Sequence, residues 1–229
     1  MLENNFLLNV DMLECIRKNT ADVIFSSEKG TLIYDKVSKI YMMSTEEIKT
    51  AKLIIEKIAE DVQEIVSHQK FYNDLLIDKF NFTRETPCYN SVYTNKKAIE
   101  IENMDIQIKT LTEEYIEEIE NNYSGKDLCS SGYVERRIKA GAMEGAFLDS
   151  KLCGFIGTHM EGSIGMLEVL PQYRGRGIGK ALQAAAANKA LEHGRYVYGQ
   201  VVEGNSVSRK LQESLGFELS VSKVYWLSK

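Results

Sequence analysis

The stretch Leu167-Glu168-Val169-Leu170-Pro171-Gln172-Tyr173-Arg174-Gly175-Arg176-Gly177-Ile178-Gly179-Lys180-Ala181-Leu182 decides how the rest of the chain is read. The apolar run from Ile164 to Leu170 has the length of a buried strand. Pro171 ends it, because proline has no N–H to give to a sheet ladder. Glycines follow at alternate positions, and Ile178, Leu182, Ala185 and Ala186 then recur at helical spacing. The order is strand, glycine-rich turn, helix. Such a turn aims the open N–H groups of a first helical turn, and the positive end of the helix dipole, at one point. An anion is expected there, with Arg174, Arg176 and Lys180 adding positive charge around it.

Two familiar phosphate motifs fail on spacing. A P-loop frame would put Arg174 where the first glycine belongs and Ala181 where the hydroxyl belongs. A dinucleotide fingerprint needs G-x-G-x-x-G, and Gly175, Gly177 and Gly179 give G-x-G-x-G. The arrangement Gln172-x-x-Gly175-x-Gly177 after a strand, with Asn205-x-x-Ser208-x-x-Leu211 and Leu215-Gly216-Phe217 downstream, resembles the GNAT N-acetyltransferase superfamily. Leu170 to Arg174, Val197 to Val201 and Asn205 to Gln212 are similar, more finely, to its glycine N-acyltransferase-like branch.

The resemblance implies a mixed α/β (α+β) fold of the GNAT type, a mostly antiparallel sheet flanked by helices. It implies acetyl-CoA as co-substrate and direct attack by a primary amine on the thioester. The main chain of Val169 and Leu170 would lie along the pantetheine. The N–H groups of Arg174, Gly175, Arg176, Gly177, Ile178, Gly179 and Lys180 would hold the pyrophosphate, and Asn205 would contact the pantetheine arm. An alkylammonium acceptor with a pKa near 10 needs a base. Glu161, just before the central strand, and Glu168, within it, are the leading candidates, with His159 at the end of the preceding strand behind them. Many members carry an acid tyrosine seven residues after the asparagine of the last helix; here that position is Gln212. The branch's carboxylate base would fall at Ser163, which weakens glycine as the acceptor.

Composition narrows the classes. A chain of 229 residues that is 44% hydrophobic can fill one large core or two small ones. A net charge of −5 argues against a nucleic-acid binder, whose affinity would come from a basic face. Cys15, Cys88, Cys129 and Cys153 form no C-x-x-C pair, and His68, His159 and His193 have no ligand spacing, so reduced thiols and no metal are expected. Met1-Leu2-Glu3-Asn4-Asn5 does not open like a signal peptide, and no apolar run reaches transmembrane length. The expectation is a cytoplasmic protein with a small-molecule amine acceptor and no membrane partner.

Further out, the first half repeats the pattern of the second. Val62 to Phe82 laid on Val197 to Phe217 matches strand, helix and the pair Asn81-Phe82 against Gly216-Phe217. Residues 1–100 are therefore expected to form a degenerate partial GNAT-like domain, shaping the acceptor cleft or a homodimer surface, and residues 104–229 the acetyltransferase domain. Where the second half has its glycine turn, the first has Met42-Met43-Ser44-Thr45-Glu46-Glu47, with a capping box expected from Ser44 to Glu47. Two other readings stay open: transfer to a protein or peptide amine, and a non-catalytic CoA-binding regulatory module.

Overall fold

A computed structural model describes residues 1–101, 105–125 and 131–229. Cys129, the loop residue Lys126 and position 104, where the second domain is expected to begin, lie outside the described residues. The chain is a mixed α/β fold whose sheet is mostly antiparallel and flanked by helices. Contacts divide it into two compact units. Unit 1 holds residues 1–92, 200–209 and 218–229; unit 2 holds residues 93–199 and 210–217.

Unit 1 opens with helix α1 (Phe6–Arg17). An antiparallel meander follows: β1 (Ala21–Ser27), β2 (Gly30–Asp35) and β3 (Ile40–Thr45). Helix α2 (Ile48–Ile55) then carries the chain over to β4 (Glu64–Ser67), parallel to β3. Helix α3 (Asn73–Phe80) and β5 (Arg84–Tyr93) complete the run. The unit also takes in β11 (Glu218–Leu219), which pairs with β5, and β12 (Val224–Ser228), which lies between β4 and β5. The last strand of the sequence is thus built into the first unit. Leu8, Met12 and Cys15 of α1 cover one face of this sheet. Ala51, Ile54 and Ile55 of α2, with Leu76 and Phe80 of α3, cover the other. The buried face of α1 runs through Leu8, Met12 and Cys15, while Ile16 and, in α2, Ile48 face solvent.

The expected capping box does not form. Ser44 stays inside β3, where its Oγ accepts from Gln69 Nε2 at 3.1 Å, and Glu47 is the N-cap of α2 in extended conformation. Pairing with β2 reaches Thr45, so the strand outlasts the sequence signal for its end.

Unit 2 begins with β6 (Gln107–Thr110), α4 (Ile116–Asn122) and α5 (Tyr133–Lys139). A second antiparallel meander follows: β7 (Met143–Leu148), β8 (Lys151–Thr158) and β9 (Ile164–Val169). Helix α6 (Ile178–Glu192) leads to β10 (Val197–Val202), parallel to β9. Helix α7 (Ser206–Ser214) comes next, and its residues from 210 onward belong to this unit. Ala184, Ala186, Ala187 and Ala190 of α6 are buried against Cys153, Ile156 and Ile164, the close helix–sheet packing that small side chains permit. On the other face Ile119 of α4 and Val134 and Ile138 of α5 pack on Met143, Phe155 and Met166.

Both units therefore run three antiparallel strands, a helical crossover, a parallel strand and a further helix. The ends of α3 and α7 correspond in detail. Asn81 has φ 56° and Gly216 φ 84°, both left-handed, and the next residues, Phe82 and Phe217, are buried.

Candidate active site

The glycine turn is a short passage between β9 and α6. Residues 171–173 make one 3-10 turn, and Tyr173 N–H donates to Leu170 O at 2.9 Å. Gly175 and Gly177 then take φ of 75° and 77°, a region that side chains disfavour, which is why this tight turn uses glycine. Gly177 is the N-cap of α6, and the first ladder bond of that helix is Ala181 N–H to Gly177 O at 3.0 Å. The first-turn N–H groups ahead of it have no intrahelical acceptor. Residues 174–177 and Lys180 are exposed. A cleft of about 200 Å³ lies beside them, lined by Arg176, Gly177, Lys180, Ala181 and Ala184 together with Glu100 and Ile101. No acidic residue stands in the first turn of α6. The charge pattern suits an anion.

The strand that delivers this turn is irregular. Met166 sits at φ 54°, and the β8–β9 register shifts between Phe155 and Gly157. This is a β-bulge. A non-glycine residue there costs about 1 kcal/mol or more, so the surrounding packing must hold it in place; Met166 is itself buried. The parallel ladder of β9 and β10 consists of one register pair, Ile164 with Gly199. The strands touch closely at that pair. A Cβ on Gly199 would stand 2.6 Å from Ile164 O, and 3.4 Å from Gln212 Oε1. Gln212, in the position of the expected acid tyrosine, is buried against this junction.

The proposed site residues divide into three groups. The cofactor residues from Val169 to Lys180 are continuous through the bulged strand, turn and helix start. Within that run, Leu170 N–H donates to Cys153 O at 2.9 Å, and Val169 O accepts from Arg174 Nε at 2.9 Å. Asn205 belongs to unit 1, where its Oδ1 accepts from Ser208 N–H at 3.0 Å and caps α7. The two carboxylates are not brought together: they stand at opposite ends of β9. Glu168 is engaged on both oxygens. Oε1 accepts from Arg174 at 3.0 Å, and Oε2 accepts from Ser124 Oγ at 2.6 Å and Ser124 N–H at 3.3 Å.

Glu161 is buried in the β8–β9 turn, where Oε1 accepts a short hydrogen bond from Ser163 Oγ. Ser163, the position of the branch's base, thus touches a carboxylate supplied two residues earlier. Around it lies a polar cluster. Arg137 Nε donates to Thr158 O at 2.7 Å, Arg195 donates to Gly162 O at 2.6 Å, and His159 Nδ1 pairs with Tyr133 Oη at 2.8 Å. Burial lowers the His159 pKa from its ordinary 6.5, the Glu161 charge works to raise it and Arg137 to lower it.

Sequence reasoning missed the Met166 bulge, Tyr133 and Ser124. Gly199 was legible in principle, since a glycine inside a strand marks close backbone approach. Among the described residues no group of His, Cys, Asp or Glu could hold a metal, and no helix is long and apolar enough to cross a membrane. Cys15, Cys88 and Cys153 are buried thiols, with Cys88 pushed up to about 12 by burial.

Residues 140–227 match the family model described as FR47-like protein, less than half of the chain. A search of curated proteins returns no match. Among solved structures, a Drosophila protein is similar at a TM-score of 0.73 and 15% identity, covering 98% of this chain and 89% of that one. A GNAT-family structure from Novosphingobium aromaticivorans is similar at 0.59 and 16%, covering 96% and 95%. A GCN5-related N-acetyltransferase-like protein from Streptococcus suis is similar at 0.56 and 17%, covering 99% and 97%. The fold of this chain is thus the GNAT acetyltransferase fold.

Proposed function

We propose that this protein is an acetyl-CoA-dependent N-acetyltransferase of the GNAT superfamily, acting on the primary amine of a small molecule or amino acid. One observation carries the reading: a glycine turn with left-handed Gly175 and Gly177 at the N-terminus of α6, directly after a bulged strand joined to β10 at a single register pair. An anion seated at residues 174–180 would be the pyrophosphate of CoA. The backbone of β9 along Met166 to Val169 would then run beside the pantetheine, and the bulge would turn an N–H toward the thioester oxygen as negative charge develops there. The FR47-like match over residues 140–227 supports the same assignment. The units' shared element order and the paired left-handed caps at Asn81 and Gly216 support reading the first as a degenerate copy of the second.

Incubation with acetyl-CoA and a panel of small amines, following release of the CoA thiol, tests the activity. Amine-dependent thiol release with matching acetylated product is the expected result. Acetyl-CoA binding without product from any amine would favour the non-catalytic module instead; Gln212, which cannot protonate a departing thiolate, is the observation on that side.

A further inference from the structure

We propose that His159 is the general base of the acetyl transfer, with Tyr133 as its positioning residue; the proposal rests on the transferase reading above. The geometry begins at Gly165, the residue before the bulge. A Cβ on Gly165 would stand 2.5 Å from His159 Nε2 and 2.8 Å from Cδ2, so the imidazole lies directly on the backbone that leads into Met166. The other ring nitrogen is taken: Nδ1 pairs with Tyr133 Oη at 2.8 Å, and the two rings stand 5.8 Å apart. In the base-competent tautomer Nδ1–H donates to Tyr133 Oη and Nε2 presents its lone pair. His159 and Met166 therefore put a proton acceptor and the bulged backbone side by side. Neither carboxylate does this. Glu168 is held on both oxygens by Arg174 and Ser124, and Glu161 is buried against Ser163.

The groups facing the ring are Tyr133 and Arg137 from α5 and Glu161 from the turn. Burial keeps the ring neutral at working pH, the form that can take a proton. The reaction balances as follows. The acceptor ammonium gives one proton to His159 Nε2. The free amine attacks the acetyl carbonyl carbon, forming the C–N bond. Collapse of the tetrahedral species breaks the C–S bond, and the second amine proton passes to the departing thiolate. The products are the amide, the CoA thiol and one proton, which leaves the imidazolium for solvent.

The test is the pH dependence of kcat/KM for wild type, H159Q, Y133F and E161Q, with thermal stabilisation by acetyl-CoA measured on each. H159Q is expected to lose roughly 100-fold to 10,000-fold in kcat, the usual contribution of a general base, while keeping the stabilisation by acetyl-CoA. Wild type should lose activity on the acid side below pH 6.5, and that limb should be absent in H159Q. E161Q should move the limb to lower pH, because a charge that favours the imidazolium is gone. Y133F should lower kcat with little change in KM. An H159Q enzyme with wild-type kcat and an unchanged limb overturns the proposal and leaves the transferase reading standing. Collapse of activity in E161Q alone assigns the base to Glu161 and overturns it as well. If H159Q loses the stabilisation by acetyl-CoA, E161Q decides, and an unmoved limb overturns the proposal. A wild type that makes no product removes the transferase reading, and the base with it.

Discussion

The parallel strand pairs β3–β4 and β9–β10 have been finished in opposite ways. In unit 1, β3 and β4 zip through three register pairs, Tyr41–Ile65, Met42–Val66 and Met43–Ser67. The end of that seam is then stitched by side chains. Thr45 N–H donates to Gln69 Oε1 at 2.9 Å and Tyr72 Oη–H donates to Met43 O at 2.8 Å. His68 Nδ1 donates to the same carbonyl at 3.0 Å, and its Nε2 meets the buried Asp11 at 2.8 Å. Glu46 and Glu47 stand where an anion would sit, and a carboxylate at a helix N-terminus already satisfies the dipole. In unit 2 the corresponding seam stops after one pair, the strand bulges, and the helix begins with glycine. The shared topology shows what a parallel pair and its crossover do by default, which is to close. An open seam takes a strained Met166 and a turn without carboxylates.

The comparison can be broken at its narrowest point. G199A should have the largest effect, because the new Cβ would meet Ile164 O at 2.6 Å and backbone cannot move aside cheaply. Overpacking of this kind costs about 1–3 kcal/mol, so thermal unfolding should fall by roughly 2–10 °C. Stabilisation by acetyl-CoA should weaken with it.

The closed seam can be opened instead. Q69A leaves the buried Thr45 N–H without its acceptor, and an unsatisfied buried donor costs about 1–3 kcal/mol. Denaturant unfolding should register that loss. The gain in stability from acetyl-CoA should stay as in wild type, since unit 1 carries no phosphate turn; a lost gain would contradict the division of labour.

Proton linkage sharpens the comparison more gently. His159 has its folded pKa below the ordinary 6.5. The unfolded chain therefore binds the proton more readily, and the stability His159 contributes is fully present above pH 6.5 and lost as pH falls below it. Stability against pH should show that decline in wild type, and the decline should be smaller in H159Q. The smallest effect is expected at the Glu168–Arg174 ion pair. E168Q neutralises a partly buried carboxylate whose arginine partner is exposed, and should change stability by about 1 kcal/mol.

Much of this was written in the chain. The strand–turn–helix of unit 2 follows from Pro171, the alternating glycines and the alanine-rich face of α6, all local signals. The matching ends of α3 and α7 were legible because Asn and Gly both tolerate a left-handed cap. What escaped was non-local. The position of β12 between β4 and β5 depends on pairing across the sequence, and no short motif encodes it. The capping box at Ser44 lost to Gln69, a partner 25 residues away. The Met166 bulge has no residue signature, because methionine is not a left-handed residue by preference and only packing holds it there. The neighbourhood of His159 depends in the same way on Tyr133 and Gly165 meeting in space.

The central claim is that the open seam and its glycine turn hold acetyl-CoA. Thermal unfolding of wild type and G177E, each with and without acetyl-CoA, tests it most directly. At about a hundred times its Kd, a ligand that binds only the folded protein adds roughly 2.7 kcal/mol. Wild type should show that gain. G177E should show none, because a carboxylate would occupy the anion position and a side chain would be forced to φ 77°. A wild type that gains nothing from acetyl-CoA, or a G177E protein that gains as much as wild type, would contradict the account.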